Sequence, residues 1–272
     1  MPSRATILIP KSHRKVASRM SNSGSLNVLA VIPARYASTR FPGKPLAPIA
    51  GRPMIQHVVE RVRQARLVSR VVVATEDDRV KAAAESFGAE ALITRHDHRT
   101  GTDRVAEVAA HTSADIYVNV QGDEPLIDPA AIDAVVSAML DDDSIQIATP
   151  CTAIIEPKDI MDPNIVKVAR DFEGNGLYFS RAPIPWVRDT SGGDSFTVRH
   201  WKHIGLYAFR REALLEFPTL PPGELERIEQ LEQLRWLENG FPIRAVETDY
   251  DAVSVDVPAD VDRVEKLIRA QK

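Results

Sequence analysis

Short apolar runs alternate along the chain with longer stretches whose apolar residues recur at helical spacing. The first run lies within Leu26–Pro33 and is rich in β-branched residues, the pattern of a strand buried on both faces of a parallel sheet. Pro33 cannot donate to a ladder and suits its end. Met54, Val58, Val62 and Ala65 space the apolar face of a helix over Pro53–Arg66. Arg70–Thr75 reads as a second buried strand, Asp77–Phe87 as a helix stopped at Gly88, and Ala89–Thr94 as a third strand. A helix from about Thr102, a strand over Asp115–Gln121, a helix over Ala130–Leu140 and a strand over Ile145–Cys151 continue the series. Such alternation builds right-handed βαβ units. The fold expected is α/β and three-layered, a mostly parallel central sheet between flanking helices.

Beyond Cys151 the pattern changes. Asn164–Arg170 and Leu177–Ser180 read as short strands joined by a hairpin turn over Asp171–Gly176, and Arg181–Arg199 as a long Pro-, Gly- and Asp-rich loop. His203–Phe209 returns as a strand. Glu224–Asn239 reads as one helix burying Leu225, Ile228, Leu231, Leu234 and Leu237, with Glu232, Gln233 and Arg235 elsewhere on it, as on a solvated face. Ile243–Val246 is a further strand, Asp256 is expected at a strand end, and a helix closes the chain from Ala259 to about Ala270. Residues 26–272 are expected to form one domain with an inserted lobe at about 164–210. Residues 1–25 are basic, free of acidic residues and end in a Ser-rich tract, which reads as a disordered extension with Met20 as a candidate internal start. Their likeness to a transit peptide is superficial, and no signal-peptide core is present.

Composition narrows the class. The 272 residues are 44% hydrophobic and 26% charged, as in an ordinary soluble protein, and the net charge of −4 argues against a general nucleic-acid binder. No stretch reaches the roughly 18 apolar residues of a membrane span. The single cysteine, Cys151, excludes an intramolecular disulfide and, following an apolar run, reads as a buried structural thiol. A cytoplasmic protein without a membrane anchor is expected.

Against that mildly acidic background, the loop after the first strand concentrates Arg35, Arg40 and Lys44 among small residues, Ala34, Ala37, Ser38 and Gly43. Small side chains let backbone N–H groups approach an anion, and ligands of open α/β sheets sit beyond the strands' carboxyl ends. This points to polyphosphate, with a solvated basic loop as the plain alternative. Arg95–Arg104 is dense in polar groups and leads through Thr100 and Gly101 into a helix, offering free N–H donors to an anion or a base edge. His96 and His98 lack a third partner at ligand spacing, so the loop is read as facing a nucleobase and not a metal. Gly122-Asp123-Glu124-Pro125, at the end of the fourth predicted strand, is either a plain turn or a carboxylate site for a hard cation on phosphate oxygens. Asp123 and Asp256, at two expected strand ends, form a pair suited to sharing one Mg²⁺.

Five blocks in order carry a resemblance: Ile32–Leu46, Asn119–Pro125, Tyr178–Trp186, Leu231–Arg235 and Ser254–Asp260. Together they resemble the 3-deoxy-manno-octulosonate (Kdo) cytidylyltransferase family, over essentially all of the chain from about Asn27. The resemblance implies a nucleotide-diphospho-sugar transferase-like fold, with the smaller mixed β lobe serving sugar binding and dimerisation. It implies transfer of CMP from CTP to Kdo, releasing pyrophosphate, by a Mg²⁺-dependent homodimer serving lipopolysaccharide synthesis. Arg35 and Lys44 would hold the triphosphate, with Arg40 a weaker candidate, and Asp123 and Asp256 the metal. Ala34, Arg95, Thr100, Gly101 and Gln121 would border the nucleotide, and Arg181, His203, Tyr207, Glu232 and Gln233 the sugar acid. The run Arg95–Thr100 and Arg227, where the family pattern has histidine, depart from the resemblance.

A cytidylyltransferase for another acid sugar, such as a sialic acid, shares the phosphate loop; the sugar-facing blocks favour Kdo. A nicotinamide-dependent oxidoreductase would carry G-x-G-x-x-G after the first strand, which Pro33-Ala-Arg-Tyr-Ala-Ser38 lacks. A nucleotide-binding protein without catalysis would have no need of Asp256.

Overall fold

The computed structural model describes residues 27–37, 41–188 and 199–270. The predicted N-terminal extension, Arg40 and positions 189–198 of the predicted long loop lie outside the described residues. Strand β1 (Val28–Pro33) leads through a 3₁₀ turn at Lys44–Leu46 and the two-residue strands β2 (Pro48–Ile49) and β3 (Arg52–Pro53) into α1 (Met54–Val62). Then follow β4 (Arg70–Thr75), α2 (Asp78–Ser86), β5 (Glu90–Ile93), α3 (Gly101–His111), β6 (Ile116–Asn119), α4 (Pro129–Asp141) and β7 (Ile147–Ala153). The second half holds α5 (Pro157–Ile160), β8 (Lys167–Arg170), β9 (Gly176–Ser180), β10 (Trp201–His203), β11 (Tyr207–Arg210), α6 (Arg211–Glu216), α7 (Glu224–Glu229), α8 (Gln233–Glu238), β12 (Arg244–Glu247) and α9 (Asp260–Ala270).

The main sheet runs β5-β4-β1-β6-β11-β7-β10-β8-β9, with β12 also pairing β7. The β5-β4-β1-β6 half is parallel, as strand–helix alternation dictates. From β11 onward the pairings are antiparallel, except that β12 runs parallel to β7. Strand β1 alternates between two cores: Val28, Ala30 and Ile32 pack on one face with α1 and α4, and Leu29 and Val31 on the other with α3. A smaller cluster joins Ile49 and Met54 to Leu126 and to Val255, Val264 and Ile268 of the C-terminal segment. Strands β4 and β6 flank β1 on opposite sides, so the order reverses there, which is where an open α/β sheet opens a crevice for ligands.

Three expectations need correction. The predicted strand over His203–Phe209 is broken into β10 and β11, both along the same edge of β7. At the break the Thr149 hydroxyl reaches the carbonyls of Ile204 (3.1 Å) and Leu206 (2.7 Å), capping groups that would otherwise pair in a ladder. The predicted helix over Glu224–Asn239 is two helices, because Gln230 adopts a left-handed conformation (φ 54°) and ends the first. Leu225 and Ile228 are consequently exposed, while Leu231 and Leu234 are buried. Asp256 does not end a strand; 251–256 is irregular and is held to the sheet's end by a bond from the Val255 N–H to the Asp123 carbonyl (2.9 Å).

Among the described residues no helix is long and apolar enough to cross a membrane. Cys151 is buried in β7, and burial, partly countered by Arg170, pushes its thiol up to about 11. About one thiol in a thousand is then ionised at pH 8, so Cys151 should resist iodoacetamide in the native protein and react in denaturant, as read by intact mass. Rapid native alkylation would contradict this packing.

Candidate active site

The crevice at β1 is built by three segments that the fold brings together. The loop after β1 supplies Ala34, Arg35 and Lys44; the loop after β6 supplies Gln121, Gly122 and Asp123; the C-terminal segment supplies Ser254 and Asp256. Ala34 N–H stays on the Ala74 carbonyl (2.9 Å), continuing the ladder past Pro33. The two loops meet so closely that a Cβ at Gly122 would lie 2.7 Å from the Pro33 carbonyl oxygen, which only glycine allows. Lys44 joins all three segments. Its Nζ lies 2.5 Å from Asp123 Oδ2 and donates to the Val255 carbonyl (3.1 Å), beside the Val255–Asp123 main-chain bond.

Arg35 is braced from the α3 side. Its Nη2 donates to the His98 carbonyl (2.7 Å), and the next residue's N–H donates to Glu76 Oε1 (3.0 Å). Glu76 in turn faces the fully buried Arg104 guanidinium at 3.0 Å. Burial lowers the Arg104 pKa, with Glu76 opposing that shift. His98 packs its Nε2 on Glu107, which also accepts from the Arg95 N–H, so the 95–100 loop is fixed as a unit.

Two cavities follow from this arrangement. One, of about 360 Å³, is lined by Ala34, Arg35, Lys44, Gly101, Gln121 and Asp123. The other, of about 650 Å³, runs from Asn119, Glu124 and Asp256 past Arg181, Lys202 and His203 to Tyr207, Glu232 and Gln233. Gly101 and Gln121 line both, so the two are chambers of one cleft. Gly101 is there because Thr100 caps α3 through a capping box with Asp103, leaving the helix start at the cleft. Gln121 is held by its amide to the Gly205 carbonyl (3.0 Å), at the break between β10 and β11.

Burial in the larger chamber opposes the charged forms of several titratable groups. Burial pushes His203 down to about 3, so its imidazole is neutral. With the Thr149 proton on a main-chain carbonyl, His203 Nε2 is the donor to Thr149 Oγ1 (2.9 Å) and Nδ1 the acceptor. Burial raises Tyr207 and Glu232, the latter despite accepting from Thr102 Oγ1 (3.0 Å). Burial and the neighbouring Asp123 charge push Glu124 up to about 7, with the Tyr250 hydroxyl donating to it (3.3 Å). Asn119 Oδ1 and Gln233 Nε2 are buried without a partner, the condition of groups awaiting a polar ligand.

Of the residues that the resemblance assigned to the site, Arg95 and Thr100 are, among those described, absent from the lining of this cleft. The Arg95 guanidinium pairs with exposed Asp97 (2.9 Å from Nε), where charge stays solvated at little cost. Thr100 contributes through its cap. Glu232 and Gln233, expected on a solvated helix face, are turned inward by the break at Gln230. Sequence reading missed Asn119, Thr102, Glu124 and Lys202; Glu124 and Asn119 lay within the Asn119–Pro125 block, whereas nothing local marked Lys202.

Asp123 and the Asp256 segment adjoin through the Val255–Asp123 bond, and both are hard oxygen donors. Among the described residues no three His, Cys, Asp or Glu side chains assemble into a metal cage. Two carboxylates completed by water and phosphate oxygens suit Mg²⁺, which rarely uses an all-protein cage. The donor set therefore fits.

Basic and carboxylate side chains at the crevice of an α/β sheet suit a nucleotidyltransferase, and the comparisons show that class. A family model described as cytidylyltransferase matches residues 29–248. The 3-deoxy-manno-octulosonate cytidylyltransferase of Solibacter usitatus (strain Ellin6076) is 53% identical over 89% of this chain and 95% of its own length. That of Geobacter sulfurreducens is 52% identical over 89% of this chain and all of its own. A solved structure of a CMP:2-keto-3-deoxy-manno-octonic acid synthetase complexed with CTP superposes with a TM-score of 0.85 at 43% identity, covering 90% of this chain and 100% of that one. A 4-diphosphocytidyl-2C-methyl-D-erythritol synthase structure from Anaerococcus prevotii, 11% identical with a TM-score of 0.60 over 90% of this chain and 100% of that one, shares the fold. The chain belongs to the 3-deoxy-manno-octulosonate cytidylyltransferase family.

Gly122→Ala should drive the two loops apart by some tenths of an ångström. Activity is expected to fall about 100-fold, the scale of a small misplacement at a reacting centre, with a stability loss of about 1–3 kcal/mol. Unchanged kinetics would show that the loop contact does not set the site.

Proposed function

We propose that this protein transfers CMP from CTP to the anomeric hydroxyl of Kdo, giving CMP-Kdo and pyrophosphate for lipopolysaccharide synthesis in the cytoplasm. One observation carries the reading: a cationic, carboxylate-edged chamber opens through Gly101 and Gln121 into a larger chamber lined by polar groups that include Arg181, Lys202, His203, Tyr207 and Gln233. The first suits a triphosphate and the second a polyhydroxylated acid. In this reading Arg35 and Lys44 hold the phosphates, and Ala34, Gly101 and Gln121 border the nucleotide. Arg181, His203, Tyr207, Glu232 and Gln233 hold the sugar acid.

The hydroxyl is a weak nucleophile repelled by the triphosphate, so catalysis rests on alignment and charge neutralisation. Arg35, fixed by the His98 carbonyl, offsets charge building on the phosphates without reorganising. Neutral His203 hydrogen-bonds hydroxyl groups without adding to the negative charge around the α-phosphorus. Asp123 and Asp256 would hold Mg²⁺, which when bound neutralises phosphate oxygens and acidifies the attacking hydroxyl. No protein general base is needed.

Pyrophosphate release from CTP and Mg²⁺ should be rapid with Kdo or its 8-amino analogue and slow with a sialic acid. Asp123→Ala or chelation of the metal should cut it by about 100-fold or more, roughly 3 kcal/mol. Turnover with sialic acid alone, or none with any sugar acid despite CTP binding, would overturn the assignment.

The same reading implies a homodimer. Ile155, Met161, Phe172, Leu177 and Trp186 are exposed in the segment that adds the sheet's outer strands, an unusual density of bare apolar side chains. Sedimentation should show a dimer that Phe172→Asp with Leu177→Asp converts to monomer; a monomeric wild type would exclude it.

A further inference from the structure

Arg181 is gripped at every polar group it has. Its guanidinium donates from Nε to the Glu229 carbonyl (2.8 Å), from Nη1 to the Pro163 carbonyl (2.9 Å) and from Nη2 to the Gln230 carbonyl (3.4 Å). Its own N–H donates to Glu229 Oε2 (2.9 Å), and its carbonyl accepts from Lys167 Nζ (2.7 Å). These partners come from two separate stretches of chain, 163–167 and 229–230. Glu229 and Gln230 present their carbonyls because the left-handed Gln230 stops α7 there, a conformation that a non-glycine residue holds only when its surroundings impose it.

Two ionisable side chains organise this grip. Glu229 takes no side-chain bond from Arg181. Its Oε1 accepts from Ser180 Oγ (2.5 Å) and the Tyr178 hydroxyl (3.4 Å), and its Oε2 from the Arg181 main chain. Lys167 is fully buried in β8 and donates to the carbonyls of Asp162 (2.8 Å), Ile165 (2.6 Å) and Arg181 (2.7 Å). Three acceptors require three N–H groups, so the amine is an ammonium ion. The guanidinium therefore rests on main-chain dipoles. Glu229 is used to fix the backbone, leaving the Arg181 charge unspent on a carboxylate, with a second fixed cation behind it. Arg181, Ile165 and Gln230 all line the larger chamber, so this grip is part of its wall.

We propose that Glu229 and Lys167 are positioning residues for the sugar-acid substrate: they fix Arg181 in the chamber wall with its charge available to the substrate carboxylate. This rests on the Kdo reading of that chamber. A preset arginine loses little rotamer freedom on binding, and its fixed positive charge favours an acid over uncharged sugars. The effect is confined to the acceptor, since the grip makes no contact with the phosphate chamber.

Steady-state kinetics with Kdo and CTP varied separately test this, with thermal melting as a fold control. Glu229→Ala should raise KM for Kdo about tenfold or more while KM for CTP moves less than about twofold. Glu229→Gln, which keeps an acceptor oxygen, should recover part of the loss, and Lys167→Met should repeat the Kdo-selective pattern. Should Glu229→Ala or Lys167→Met not fold, Ser180→Ala removes one donor from the same carboxylate and should show the same split at about two- to fivefold. Equal rises in both KM values, or an unchanged KM for Kdo in a folded variant, overturn the positioning role. A wild type inert toward Kdo overturns the substrate reading itself.

Discussion

The contact on which the site depends is the junction of Lys44, Asp123 and Val255. One ammonium spans a side-chain carboxylate and a main-chain carbonyl, while the Val255 N–H closes the ring onto the Asp123 carbonyl. These residues are far apart in the chain, and each stands at the end of a segment with its own reason to be there. Lys44 follows a strand buried on both faces, Asp123 follows the neighbouring parallel strand, and Val255 is anchored by the apolar cluster beneath α9. Packing of α9 thus reaches the reacting centre through Val255.

From that junction the cleft extends in two directions with opposite electrostatic character. Toward the β1 loop, the Arg35 and Lys44 charges are held by the His98 carbonyl and Asp123 at the wall of the smaller chamber. Toward β11 and α8, groups are buried and desolvation opposes their charged forms, while the Arg181 charge is held on carbonyls. Hydroxyl recognition is served by neutral donors and acceptors whose bonds gain strength in a drier setting, whereas a triphosphate needs countercharge. The break between β10 and β11 couples the halves, because its Gly205 carbonyl holds Gln121, which borders both.

The fold's parallel half was legible because β-branched runs and helical spacing are local properties. The β1 loop drew attention for a local reason too, since three cations among small residues stand out from an acidic chain. Legibility ended where a long-range contact decides. Gln230 carries no turn signal, yet its left-handed conformation turns Glu232 and Gln233 inward and strands Leu225 and Ile228 in solvent. Arg95 and Arg35 are alike in sequence; only the fold pairs one with Asp97 and sets the other in the lining of the smaller chamber. Asp256 was expected at a strand end, and that expectation rested on local pattern alone. Asp256 sits on an irregular segment, and a main-chain hydrogen bond, not a strand, brings it near Asp123.

The central claim is that Asp123 and Asp256 jointly hold a divalent cation against the nucleotide. A crystal grown with CTP and Mn²⁺ and measured at the manganese absorption edge tests it directly. The account predicts an anomalous peak ligated by both carboxylates and a phosphate oxygen, with Arg35 on the same triphosphate. A peak bound by phosphate oxygens alone, or one seated away from Asp256, would contradict it.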